Sequence, residues 1–144
     1  MRVTEINQHQ LATLIDSAKL AREFAVAPFS NFKVGAAVLT EGGGVFTGCN
    51  IENASYGLTV CAERVALWKA LSEGGFGFTH LVVVADTNEL TPPCGACRQI
   101  IWEFAGDIPV TMTNLAGETE TIRMSELFPR AFDVKFLDDR GSGR

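Results

Sequence analysis

Basic clusters are absent from this chain. Lys and Arg total 12 against 17 Asp and Glu, for a net charge of −5. Phosphate backbones are bound by Lys and Arg neutralisation, so a nucleic acid is not the expected partner. Long apolar runs are absent too, and none approaches the roughly 18 residues that a membrane span needs. The start, Met1-Arg2-Val3-Thr4-Glu5, lacks the apolar core of a secretory signal, and a cytoplasmic location is expected. Histidine is scarce. Of the 2 copies, His9 and His80, neither has metal-ligand spacing, and both read as solvated or structural residues. No repeat, low-complexity tract or long linker breaks the chain.

What is present is a soluble globular composition, 47% hydrophobic and 20% charged over 144 residues. That length fits one domain, 1–144, with a real core. In a reducing compartment its four cysteines are expected as metal ligands or free thiols rather than disulfides. Leu11, Leu14, Ile15, Ala18, Ala21 and Ala25 follow a helical stripe, which predicts a first helix over about 8–26, stopped by Pro28. Val34–Leu39 and Val45–Ile51 read as a hairpin turned at Gly42-Gly43-Gly44.

A second helix is expected from Cys61 to Ser72, apolar on most sides and therefore buried, with Gly74-Gly75 beyond its end. Leu81–Ala85 reads as a central strand covered on both faces. A third helix from Gly95 is expected to carry Ile100, Ile101 and Phe104 inward. Two more strands, Val110–Thr113 and Glu120–Arg123, flank a turn at Asn114-Leu115-Ala116-Gly117. A short helix over Ser125–Phe128 ends at Pro129, and a polar tail from Asp138 is expected to fray. The fold class is α/β: three layers, α/β/α, around a mixed sheet of about five strands.

The chemistry gathers at Cys61-Ala62-Glu63 and Pro93-Cys94-Gly95-Ala96-Cys97. Three thiols can hold one zinc ion and leave its fourth position open, the pattern of catalytic rather than structural zinc. Each thiol lies where a helix begins. There, unpaired N–H groups and the positive dipole end favour the thiolate, the form that binds metal. Three thiolates on Zn²⁺ still sum to −1. Arg64, Arg98 and the two helix ends are the candidates to offset that charge. Glu63, in the first helical turn, is placed to carry protons beside the metal. Alone, Cys94-x-x-Cys97 also fits a redox pair or a structural half-site. A closed four-thiol site would need Cys49.

Taken together, these motifs resemble the short, homotetrameric cytidine deaminases, whose wider class carries His or Cys before x-Glu and then Pro-Cys-x-x-Cys. The Cys-Ala-Glu form is closer to free-nucleoside enzymes than to nucleic-acid editors. Ala27–Ala37 resembles the family's substrate loop and first strand, and Gly48–Gly57 its ribose segment. Thr113-Asn114-Leu115 and Glu126–Phe132 match later landmarks, so the likeness spans about 10–132.

The resemblance implies one zinc per subunit on Cys61, Cys94 and Cys97, with Glu63 as proton shuttle. It implies Asn50 and Glu52 on the ribose hydroxyls and Phe32 against the pyrimidine. Ala54, Tyr56 and Phe132 would complete a neighbouring subunit's pocket, and Arg64 would hydrogen-bond a zinc thiolate. Without it, Phe32 and Phe132 read as core aromatics, Asn50 as a turn residue, Glu52 as an edge charge and Arg64 as a helix cation. Phe29 departs from the family's usual tyrosine and Arg130 from its usual glycine. The implied activity is hydrolytic deamination of cytidine and 2′-deoxycytidine in pyrimidine salvage. Its rivals are deamination of another cytosine-bearing compound such as an aminoacyl-nucleoside, editing of RNA or DNA, and a non-enzymatic zinc module.

Overall fold

A computed structural model describes residues 6–138. Helix α1 (Gln8–Arg22) opens on a reciprocal cap: Asn7 Oδ1 accepts from Gln10 N at 2.8 Å, and Gln10 Oε1 accepts from Asn7 N at 2.9 Å. Strands β1 (Val34–Thr40) and β2 (Val45–Cys49) follow, then α2 (Ala62–Ser72), β3 (Phe78–Ala85) and α3 (Gly95–Ala105). Strands β4 (Pro109–Thr113) and β5 (Thr119–Arg123) and the single-turn helices α4 (Met124–Leu127) and α5 (Lys135–Asp138) complete the order.

The five strands form one mixed sheet in the order β2-β1-β3-β4-β5, with β3 and β4 parallel and the other neighbours antiparallel. Side chains alternate across a strand, so the two faces serve two cores. Val34, Ala36 and Val38 of β1 and Leu81, Val83 and Ala85 of β3 meet α2 and α3. Ala37, Leu39, Val82 and Val84 meet Leu14 and Ala18 of α1. This is the expected three-layer arrangement.

Five details differ from the sequence reading. Helix α1 ends at Arg22, because Val26 leaves it to exchange hydrogen bonds with the Asn50–Glu52 segment (Val26 N to Asn50 O, 3.0 Å; Glu52 N to Val26 O, 2.8 Å). Strand β2 stops at Cys49, since Ile51 turns to pair with Val60. Phe104 is 45% exposed, and Trp102 and Ala105 pack inward in its place. Trp68 is 43% exposed on α2, where the Arg64 guanidinium lies 6.0 Å from its ring centroid. Helix α5 was not expected; of the tail, only Asp138 falls within the described residues, as the last residue of α5.

His80 is buried, its Nε2 2.7 Å from Thr111 Oγ1, which in turn lies 2.7 Å from Thr121 Oγ1. Burial lowers its pKa to about 4, so it is a neutral structural residue. His9 is exposed on α1.

Two glycines set how closely helices approach the sheet. A Cβ at Gly35 would stand 2.0 Å from Ala18 O, and one at Gly48 would stand 2.5 Å from both Ala62 O and Ala66 N. Backbone atoms cannot swing aside as a side chain can. Gly48 therefore fixes the first turn of α2 directly on β2, where Ala62, Ala66 and Ala70 are fully buried. Gly48→Ala is expected to cost about 1–3 kcal/mol in thermal or urea unfolding. Gly42→Ala, which meets nothing within 4 Å, is expected to stay within about 0.5 kcal/mol of the parent.

Candidate active site

Cys61 occupies the N-cap position of α2 and Cys94 that of α3, where Cys94 Sγ accepts from the backbone N of Cys97, one turn further on. The two helix starts meet, and the Sγ atoms of Cys61, Cys94 and Cys97 all lie within 4.8 Å of one another. The Cys61–Cys94 separation is 3.8 Å. Zinc–sulfur bonds of about 2.3 Å in a tetrahedron require an edge of about 3.8 Å, so the donor set fits zinc in both chemistry and spacing. Cys49 lies outside this cluster, its thiol pushed up chiefly by burial. The closed four-thiol alternative is therefore not what the fold builds.

The electrostatics also favour a metal. The Cys61 thiol is lowered to about 5, first by a hydrogen bond from Cys97 and then by Arg64, whose Nη2 donates to Cys61 Sγ at 3.2 Å. Cys97 is fully buried and moves the other way, its thiol pushed up first by the hydrogen bond to Cys61 and then by desolvation. A bound cation would favour the thiolate at both. Glu63, only 4% exposed, is raised to about 7, chiefly by burial. A carboxyl poised near neutrality beside the thiols suits proton transfer in both directions.

Arg98 does not spend its guanidinium on sulfur. Its Nε donates to Pro93 O at 2.8 Å and its Nη1 to Leu127 O at 2.5 Å. Its hydrogen bonds go to carbonyls.

The residues that the family resemblance assigns to the ribose are assembled around one loop. Ile51 and Val60 exchange both backbone bonds at 3.0 Å, which fastens the Asn50–Glu52 segment to the residue before Cys61. Asn50 is buried; its Oδ1 accepts from Val34 N at 2.8 Å and its Nδ2 donates to Phe32 O at 2.7 Å. Glu52 accepts from Phe29 N at 2.9 Å, from Ser30 N at 3.2 Å and from the Ser30 hydroxyl. The Ser30 hydroxyl bond leads in holding its carboxyl below the usual range. Both residues grip the loop that presents Phe32, 40% exposed beside a cavity of about 320 Å³ shared with Arg22, Asn31, Lys33 and Asp86. Asn31 takes the left-handed backbone, φ 58°, that Asn tolerates well.

Ala54 and Tyr56 are exposed on the following loop, with Phe29 edge-on to Tyr56 at 5.7 Å. Phe132 is exposed on the C-terminal segment and stacks on Phe136. Among the described residues, no contact brings these three to the thiol cluster. Ser30, Gln99 and Asn114 went unassigned from sequence. Asn114 is buried and donates from Nδ2 to Thr87 O at 3.0 Å, bracing the loop that leads to Cys94. Its only signal was a place in a matched landmark. Arg130 occupies φ 54°, a left-handed conformation in which glycine is unstrained.

A three-layer α/β protein that gathers three thiols at two helix starts, beside a buried carboxylate, is built as a zinc-dependent hydrolase. Residues 8–112 match the family model "Cytidine and deoxycytidylate deaminase zinc-binding region", and the chain belongs to that family. It is 52% identical over 125 residues to a cytidine deaminase of Sporosarcina psychrophila, covering 86% of this chain and 92% of that one. A cytidine deaminase of Halalkalibacterium halodurans is likewise 52% identical, covering 88% and 96%. The crystal structure of cytidine deaminase from Burkholderia pseudomallei superposes with a TM-score of 0.83 at 48% identity, covering 88% of this chain and all 100% of that one.

The metal-stripped protein offers a direct check of the thiol electrostatics. Alkylation of Cys61 by iodoacetamide, followed by peptide mass mapping, is expected to rise with pH through about 5 and then level off. Arg64→Gln is expected to move that midpoint upward. A midpoint in the ordinary thiol range for the parent chain would contradict the assignment.

Proposed function

We propose that this chain is a cytidine deaminase, converting cytidine and 2′-deoxycytidine with water to uridine and 2′-deoxyuridine with release of ammonia. The observation that carries the proposal is the three-thiol cluster at two helix starts with buried Glu63 beside it. Cys61, Cys94 and Cys97 hold one zinc ion per subunit. When bound, zinc supplies a water acidic enough to serve as nucleophile near neutral pH. Glu63 accepts a proton from that water and delivers it to N3 of the pyrimidine, which makes C4 electrophilic. The hydroxide so formed adds at C4, and Glu63 then moves the proton of the new C4 hydroxyl to the exocyclic amine, which leaves as ammonia while the C4 carbonyl forms. Arg64 holds the Cys61 sulfur and offsets the surplus negative charge of three thiolates.

Phe32 provides the face against which the pyrimidine lies. Asn50 and Glu52 face the ribose hydroxyls. Asn50 has one amide hydrogen and one oxygen lone pair left after its bonds to the loop. For Glu52, a ribose hydroxyl would take the place of the Ser30 hydroxyl.

Ala54, Tyr56 and Phe132 complete the pocket of a neighbouring subunit in a homotetramer. Support for that assembly comes from large apolar side chains facing solvent: Tyr56 at 75%, Leu58 at 71% and Phe132 at 56% exposure. Light scattering on the purified protein checks it. A cytoplasmic location fits the free thiols. Among the described residues no helix is long and apolar enough to cross a membrane.

Glu63→Gln is expected to retain stoichiometric zinc while kcat on cytidine falls by at least about 10²–10⁴. Zinc content by elemental analysis and ammonia release measure the two quantities on one sample. Turnover at the parent rate with zinc in place would remove Glu63 from the mechanism. Ammonia from cytidine-containing oligonucleotides but not from free cytidine would replace the nucleoside reading with an editing one.

A further inference from the structure

Helix α3 begins with two of the three thiols, and its next turn reaches for the end of the chain. Arg98 joins Pro93 O, immediately before Cys94, to Leu127 O at the end of α4. That second carbonyl belongs to the last turn of a helix, where no partner within the helix exists. Gln99 Nε2 donates to Phe132 O at 2.9 Å, and Trp102 Nε1 donates to Asp133 Oδ2 at 3.0 Å. Asp133 Oδ1 also accepts from Lys135 N at 3.0 Å. Between α4 and α5 the chain has no repeating hydrogen-bond ladder and passes through the left-handed Arg130. Its path is therefore set from outside, by three neighbouring side chains of α3.

We infer that Arg98 is a positioning residue that locks the Pro93–Cys94 turn and the C-terminal arm bearing Phe132 into one unit. Its two ends have separate consequences. The Pro93 end fixes the Cys94 sulfur relative to Cys61, so it governs how long the metal is held. The Leu127 end, with Gln99 and Trp102, fixes where Phe132 stands, so it governs substrate affinity. The second consequence rests on the nucleoside reading above; the first does not.

The two ends separate experimentally. Zinc release to a chromogenic chelator and steady-state kinetics on cytidine are measured for the parent, Arg98→Gln, Arg98→Lys and Gln99→Ala, with melting temperature recorded for each. Arg98→Gln is expected to release zinc about 10- to 100-fold faster, the range seen when a group orienting a metal ligand is lost. Its KM is expected to rise more than its kcat falls. Arg98→Lys, which keeps the charge but not the two-pronged reach, falls between. Gln99→Ala raises KM and releases zinc at the parent rate. If Arg98→Gln does not fold, Arg98→Lys and Gln99→Ala carry the same comparison. Parent-like zinc release in the Arg98 variants overturns the inference, as does equally fast release from Gln99→Ala or a drop in melting temperature with release and KM unchanged. A parent chain inactive on cytidine would refute the nucleoside reading while leaving the zinc-release comparison intact.

Discussion

Two helix N-termini meeting at one point are the constraint on which the site depends. Neither end is self-sufficient, because the first N–H groups of any helix lack partners and carry partial positive charge. Here a cysteine stands at each N-cap position, and the Cys61 and Cys94 sulfurs converge to 3.8 Å. The convergence is possible because β2 offers Gly48 under the first turn of α2, and because the loop into α3 is braced by Asn114. The fold thus gathers three thiol ligands before any metal arrives.

Placing three thiolates together creates a surplus of negative charge, and the surrounding groups answer it in different ways. Arg64 meets the Cys61 sulfur directly and packs its guanidinium near Trp68. That contact gives the exposed Trp68 a reason to be on the surface of a largely buried helix. Glu63 answers with a carboxyl raised to about 7, its charge disfavoured first by burial and then by the Cys61 thiolate. The same residue set therefore both attracts a divalent cation and holds a proton ready to move.

Much of this was legible in the sequence, and the reasons are specific. Cys61-Ala62-Glu63 and the Pro93–Cys97 motif are local signals, and the helix starts they imply are where the structure places them. The two-faced sheet was legible from the β-branched run at Leu81–Ala85. Errors arose where a distant segment competed with local preference. Val26 has helical company in sequence, yet it pairs with the Asn50–Glu52 segment and ends α1 early. Phe104 is apolar at a plausible spacing, but the short α3 buries Ile101 and turns Trp102 and Ala105 inward instead. The grip of Asn50 and Glu52 on the Phe29–Val34 loop was invisible, because it joins side chains to backbone atoms some 16 to 23 residues away. Hydrogen bonds of that kind leave no periodic trace.

The central claim is that three thiols and no other protein group hold the metal, leaving one position for water. Zinc K-edge X-ray absorption on the purified protein tests it most directly. Three sulfur neighbours and one oxygen neighbour per zinc are expected, with no imidazole signature. Four sulfurs, which would bring Cys49 into the site, or an imidazole from His80 or His9, would contradict it.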